Sequence, residues 1–185
     1  MPSPLAHCAV ALAAGVAAPS GSPLRAGRAV LAAAIAGVVS DVDLLLSATL
    51  PGGIAWHHGP SHSLIGATLL GLLVGLAFGQ RGASLAWCGI AGFSHPILDW
   101  ELGDPATAST FGVPLAWPFS SQKFVSPVPI FLAFGIHREG FLLNMVAPDA
   151  LAAYLREAVF SACVLGYVRF TRGRFRVLPR FRGDR

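Results

Sequence analysis

Charged side chains are scarce in this chain. Lys, Arg, Asp and Glu supply 12% of its 185 residues, whereas soluble domains carry roughly 25%. Between Arg28 and Arg81 the only formal charges are Asp41 and Asp43. With 54% hydrophobic residues and a mean hydropathy of +0.64, this argues against a water-soluble fold and for membrane spans. Cysteine is also sparse. Cys8, Cys88 and Cys163 each lie in an apolar run with no C-x-x-C spacing, so they are expected to be small buried hydrophobes and say little about redox compartment. The chain has no H-E-x-x-H and no G-x-S-x-G, which argues against intramembrane proteolysis by those routes. It has no internal repeat and no low-complexity linker, so one membrane domain over residues 1–170 is expected, followed by a basic tail at 171–185. Seven of the thirteen basic residues fall in "RFTRGRFRVLPRFRGDR". A juxtamembrane basic tail reads as a topology determinant or a lipid contact, so nucleic-acid binding is not expected despite the net charge of +4.

What is present is five apolar runs: Pro4 to Pro19, Ala29 to Leu50, Ser61 to Gly79, Ala83 to Trp100 and Asp149 to Phe170. They predict an all-α, polytopic integral membrane protein of about five transmembrane helices. The first run is short and needs tilt or a thin bilayer. It could also be a signal peptide ending at "GVAAPSG", but no Lys or Arg precedes it. Ser3 as N-cap and Pro4 at the first helical position fit a retained helix instead. Between the fourth and fifth runs, Glu101 to Pro148 is rich in Pro and aromatics. Its apolar pieces "VPIFLAFGI" and "GFLLNMVA" are too short to span and suit a re-entrant or interfacial segment. Arg25, Arg28, Arg81 and the tail all fall on one side if the N-terminus is outside, leaving Lys123 and Arg138 opposite. By the positive-inside rule the tail is then cytoplasmic.

In that orientation the polar residues converge. At about 1.5 Å per helical residue, Asp41 and Asp43 lie roughly 18 to 22 Å above Arg28, and His95 and Asp99 roughly 21 to 27 Å above Arg81. His7 and His62 sit in the first turns of descending spans. Four spans therefore place His or Asp in the outer part of the bilayer, where an ionised carboxylate needs compensation. His95 and Asp99, four apart, share a helical face unless Pro96 kinks the helix. Asp41 and Asp43 diverge on a regular helix, and serve one site only if the backbone opens or two cations are held. Imidazole and carboxylate without thiolate suit one or two divalent metals, zinc or manganese foremost and iron next. In "WHHGPSHS", His62 belongs to this set and His57 is a candidate for proton transfer. His58 reads as a loop residue and His137 as solvated. Lys123, in "WPFSSQKF", is a candidate phosphate contact beside an aromatic belt.

Taken in order, His7 in "PSPLAH", "SDVDLL", "WHHGPSHSL", "SHPILDW" and "PLAWPFSSQKF" resemble the YdjM-like family of inner-membrane-associated metal-dependent hydrolases. The resemblance covers Pro4 to Phe124. It implies a multi-span helical protein with metal ligands drawn from His7, Asp41, Asp43, His62, His95 and Asp99. The chain departs from that pattern at His58, where the family often has Arg, and at Leu44, where it often has His or another polar residue. The first departure puts an anion-binding role for that position in doubt. The expected activity is metal-dependent hydrolysis at headgroup depth, on a phosphoester of a lipid or lipid-linked substrate in the bilayer. A metal-ion or proton transporter using the same cluster is the alternative, but the apolar inner stretches "AVLAAAIAGVV" and "ASLAWCGIAG" offer it no second half-path. A structural membrane protein with a regulatory metal site is the third reading.

Overall fold

The computed structural model describes residues 4–17, 22–44, 57–101, 112–128, 130–131 and 148–175. Among these, all long elements are helical: α1 Pro4–Ala17, α2 Gly27–Val38, α3 Leu64–Ala77, α4 Gly82–Trp100 and α5 Pro148–Phe175. Val113 and Phe124, both among the described residues, pair in an antiparallel bridge. The all-α expectation holds.

Local chemistry places the helix ends. Pro4 opens α1, where its missing N–H costs nothing. Ser3, expected as the cap, lies outside the described residues. Ser22 caps a short 3-10 turn, Pro23–Arg25, by accepting from the Leu24 N–H at 3.3 Å, and α2 follows at once. Ser63 caps α3: its Oγ accepts from Gly66 N at 2.9 Å and donates to the Pro60 carbonyl at 2.8 Å. Between α3 and α4 the chain reverses through Gly79 (φ 66°) and Gly82 (φ 52°), left-handed conformations that favour glycine.

Small residues let the helices approach closely. A Cβ at Gly71 would overlap the Cys88 carbonyl, and one at Gly92 the Ala67 carbonyl, so α3 and α4 touch backbone to backbone. Ala11, Ala32, Ala36, Cys88 and Ala91 form the core shared by α1, α2 and α4. The Trp87 Nε1–H donates to the Ala11 carbonyl at 2.7 Å, tying α4 to α1. Interfaces of this kind rely on close packing rather than large side chains, as membrane helix pairs do. α5 packs on α1, buries Ala150, Ala153, Glu157 and Ser161, and exposes Leu151, Leu155, Val159, Tyr167 and Phe170.

α2 and α3 are shorter than the apolar runs in which they lie. Ala150–Thr171 within α5 is the one described helix long and apolar enough to cross a membrane, at 22 residues and a mean hydropathy of 1.4. The fourteen-residue α3 extends about 21 Å. It starts late because Pro60–His62 winds as a 3-10 turn, which puts His62 just ahead of the helix rather than in its first turn. α2 stops at Val38, and the end of the second run, Leu45 to Leu50, lies outside the described residues. Between Glu101 and Pro148 the structure describes 112–128 and 130–131, a turn-rich loop. The cysteines differ from expectation at one position: Cys88 is buried and Cys8 half-buried, but Cys163 is exposed on α5.

Candidate metal centre

His95 and Asp99 come from the last turns of α4, which runs unbroken through Pro96. Four residues apart, they face each other, with His95 Nε2 3.1 Å from Asp99 Oδ2. The other ring nitrogen, His95 Nδ1, lies 2.8 Å from the Gly37 carbonyl. A carbonyl only accepts, so Nδ1 carries a proton, and when the ring is neutral its acceptor nitrogen is the inward-facing Nε2. Gly37 is itself pressed against α1, where a Cβ would lie 2.9 Å from that of Ala11 and 3.2 Å from the His7 carbonyl.

His62 arrives from the 3-10 turn before α3 and is fixed in the same sense. Its Nδ1 lies 3.0 Å from Asp43 Oδ2, and Ser61 Oγ donates to that oxygen at 2.7 Å. An ionised carboxylate only accepts, so His62 carries a proton on Nδ1, and when this ring is neutral its acceptor nitrogen is also Nε2. The two Nε2 atoms are 3.2 Å apart. Asp41 Oδ1 lies 3.5 Å from each of them, and Asp99 Oδ2 lies 3.4 Å from His62 Nε2.

Asp41 and Asp43 both reach His62 because the backbone changes there. At Val38 (φ −121°, ψ −4°) the α-helix ends, and Val39–Val42 winds as a 3-10 helix. Residues two apart are separated by about 160° around an α-helix but by about 120° around a 3-10 helix. Asp41 therefore meets His62 at Nε2 and Asp43 meets it at Nδ1. The 3-10 turn is the change of backbone that lets both carboxylates reach one ring.

His7, from the first turns of α1, completes the group. Its Nε2 lies 3.5 Å from Asp99 Oδ1, and its ring stacks on His95 with centroids 3.9 Å apart and an 18° interplanar angle. His7, His62, His95 and Asp99 are all fully buried. Among the described residues, no hydrogen bond reaches either His7 nitrogen or any carboxylate oxygen of Asp41 or Asp99. Buried anions and inward lone pairs lacking hydrogen bonds are costly by themselves. A divalent cation removes that cost. Three triads among the described residues have ligand atoms within 4.8 Å of one another: Asp41, His62 and His95; His7, His95 and Asp99; and His57, His58 and His62. Nitrogen and oxygen donors of this kind fit zinc, manganese or iron.

Asp43 and His57 form a pair on the Nδ1 side of His62. His57 Nδ1 lies 2.7 Å from Asp43 Oδ1, while the buried His57 Nε2 has no hydrogen bond. The His57 ring meets that of His62 edge-on, with centroids 4.9 Å apart. His58, read from sequence as a loop residue, is buried. It packs at 4.2 Å on His57 and 4.7 Å on His62, and its φ of 55° turns it inward. Burial pushes its pKa down to about 3, so the ring is neutral. The sequence signal for it was its adjacency to His57. Lys123 is half-buried in the loop beyond, and no hydrogen bond or ion pair links it to these groups. His137 lies outside the described residues.

An all-helical protein with a buried His/Asp centre and a spanning helix is the class these observations define. The model of the YdjM inner membrane protein family matches residues 1–175, and the chain belongs to that family. Inner membrane protein YbcI of Escherichia coli (strain K12) is similar, 28% identical over 159 residues that cover 83% of this chain and 82% of that protein. No solved structure matches. Membership of this family makes the chain a membrane protein.

Proposed function

We propose that the chain is a membrane-embedded, metal-dependent hydrolase acting on a phosphoester of a lipid or lipid-linked substrate. In this reading α1 to α5 and their flanking turns cross the bilayer about five times, with the N-terminus outside, the tail cytoplasmic and the His/Asp centre toward the outer face. The observation that carries it is the meeting of the His62 and His95 Nε2 atoms, 3.2 Å apart, with the Asp41 and Asp99 carboxylates.

His7, Asp41, His62, His95 and Asp99 would hold one or two divalent ions. When bound, such an ion polarises a phosphoryl oxygen and supplies positive charge to the reacting group. Asp43 orients: one oxygen holds the proton of His62 on Nδ1 and the other does the same for His57. His57 Nε2 is then a proton acceptor, suited to general-base work and to returning the proton to a leaving oxygen. Lys123 would meet the phosphate from the loop. The apolar inner halves of α2 and α4 favour chemistry at one face over passage through the membrane.

The test is metal analysis of detergent-purified protein beside His62→Ala and Asp99→Asn. Wild type should retain metal and both variants should lose it; equally little metal in all three would end the reading. Phosphate or headgroup release from phospholipid then supports hydrolysis, whereas metal flux into proteoliposomes without turnover supports transport.

A further inference from the structure

The loop between Val113 and Phe124 is pinned to the end of the bundle that carries the centre. The Leu64 N–H, two residues after His62, donates to the Leu115 carbonyl at 3.2 Å. The Val113 and Phe124 backbones exchange two bonds of 2.9 Å, closing the loop at its base. The Ser126 N–H donates to the Trp100 carbonyl at 2.9 Å, one residue after Asp99. Both anchors therefore lie within two residues of a proposed ligand. Held this firmly, the loop still turns its apolar groups outward: Phe119 is 86% exposed and Trp117 38% exposed. Lys123 stands one residue before the closing bridge.

An exposed indole and phenyl beside a lysine, on a fixed loop of a membrane protein, match the composition of the headgroup layer. Water would hydrate the apolar pair at a cost, whereas the region between headgroups and acyl chains takes up both rings and leaves the ammonium among phosphates. We propose that the loop from Val113 to Phe124 is a lipid-docking surface: Trp117 and Phe119 seat it in the leaflet at the centre's end of the bundle, and Lys123 draws the phosphate of a membrane phospholipid toward His57 and His62. Delivery to the centre rests on the hydrolase reading; docking in the leaflet does not.

The experiment uses the full chain in nanodiscs of phosphatidylcholine and phosphatidylglycerol, with acyl chains brominated near the headgroup or near the methyl end. The difference in tryptophan emission between wild type and Trp117→Phe isolates the Trp117 signal. Quenching of that signal by the headgroup-proximal bromines, and less by the distal ones, supports docking. A Trp117 signal unquenched by either lipid, or shielded by a second copy of the chain at high protein-to-lipid ratio alone, overturns it. For delivery, phosphate release from phosphatidylglycerol vesicles is compared between wild type and a Trp117→Ser/Phe119→Ser chain. An apparent KM raised about tenfold at near-constant kcat supports it, and a lowered kcat with KM held overturns it. Wild type that releases no phosphate ends the hydrolase reading and delivery with it, while the quenching result still decides docking.

Discussion

Asp43→Asn separates an orienting carboxylate from a metal ligand. Asp43 Oδ1 lies 2.7 Å from His57 Nδ1, and Oδ2 lies 3.0 Å from His62 Nδ1 while also accepting from Ser61. Both contacts require an acceptor, and asparagine has only one carbonyl oxygen. If its NH2 faces His62, that ring must accept at Nδ1. The His62 proton then moves to Nε2, where it covers the lone pair aimed at the centre. If the NH2 faces His57, that ring loses its bare Nε2 and with it the proposed base. Loss of a group that orients a ligating histidine weakens metal binding or activity about 10- to 100-fold, or about 1.4 to 2.7 kcal/mol. Asp41→Asn removes an oxygen on the Nε2 side and should weaken metal binding further. Competition titration against a chromophoric chelator measures both variants, with circular dichroism to confirm that helix content is retained. An Asp43→Asn chain that binds metal and turns over as wild type would refute the tautomer argument. One that binds metal more weakly than Asp41→Asn would make Asp43 a ligand.

Chelation should lower the thermal midpoint, because Asp41 and Asp99 then face each other without a cation. Restoring free zinc at a hundredfold its Kd should return about 2.7 kcal/mol of stability, and an Asp99→Asn chain should show little of that response. Gly92→Leu should destabilise by about 1 to 3 kcal/mol, since the Ala67 carbonyl it would strike is backbone. Thermal unfolding in detergent measures this, and a neutral result would mean that α3 and α4 do not cross there. His58→Val should cost about 1 to 3 kcal/mol, because a β-branched residue resists a φ of 55°. His58→Asn, which tolerates that conformation, should not, and equal stability of the two variants would argue against the left-handed turn.

The helical character of the chain and the identity of the clustered residues were legible in sequence because they depend on hydropathy and spacing along one segment. Runs poor in charge marked the helices, and the ends of α1, α4 and α5 fell within a few residues of the marked runs. The pairing of His95 with Asp99 followed from a four-residue spacing on a helix that continues through Pro96. The burial of His58 was less legible, since a residue ahead of a helix can turn either way. Its φ of 55° and its two ring contacts depend on His57 and His62 being in place.

Sequence alone determined that His and Asp lie on several apolar segments at matching heights along them, because height follows from helical rise counted from the few charges. Only the tertiary structure decided what each atom does. Whether an imidazole offers a lone pair at Nε2 is set by what its Nδ1 touches: for His95 a carbonyl 58 residues away, and for His62 a carboxylate on another helix. Whether Asp41 and Asp43 can serve one ring is set by a 3-10 turn at the end of α2. Those contacts form between segments distant in the chain, through helices brought together at glycine and alanine, and spacing along the sequence carries no record of them.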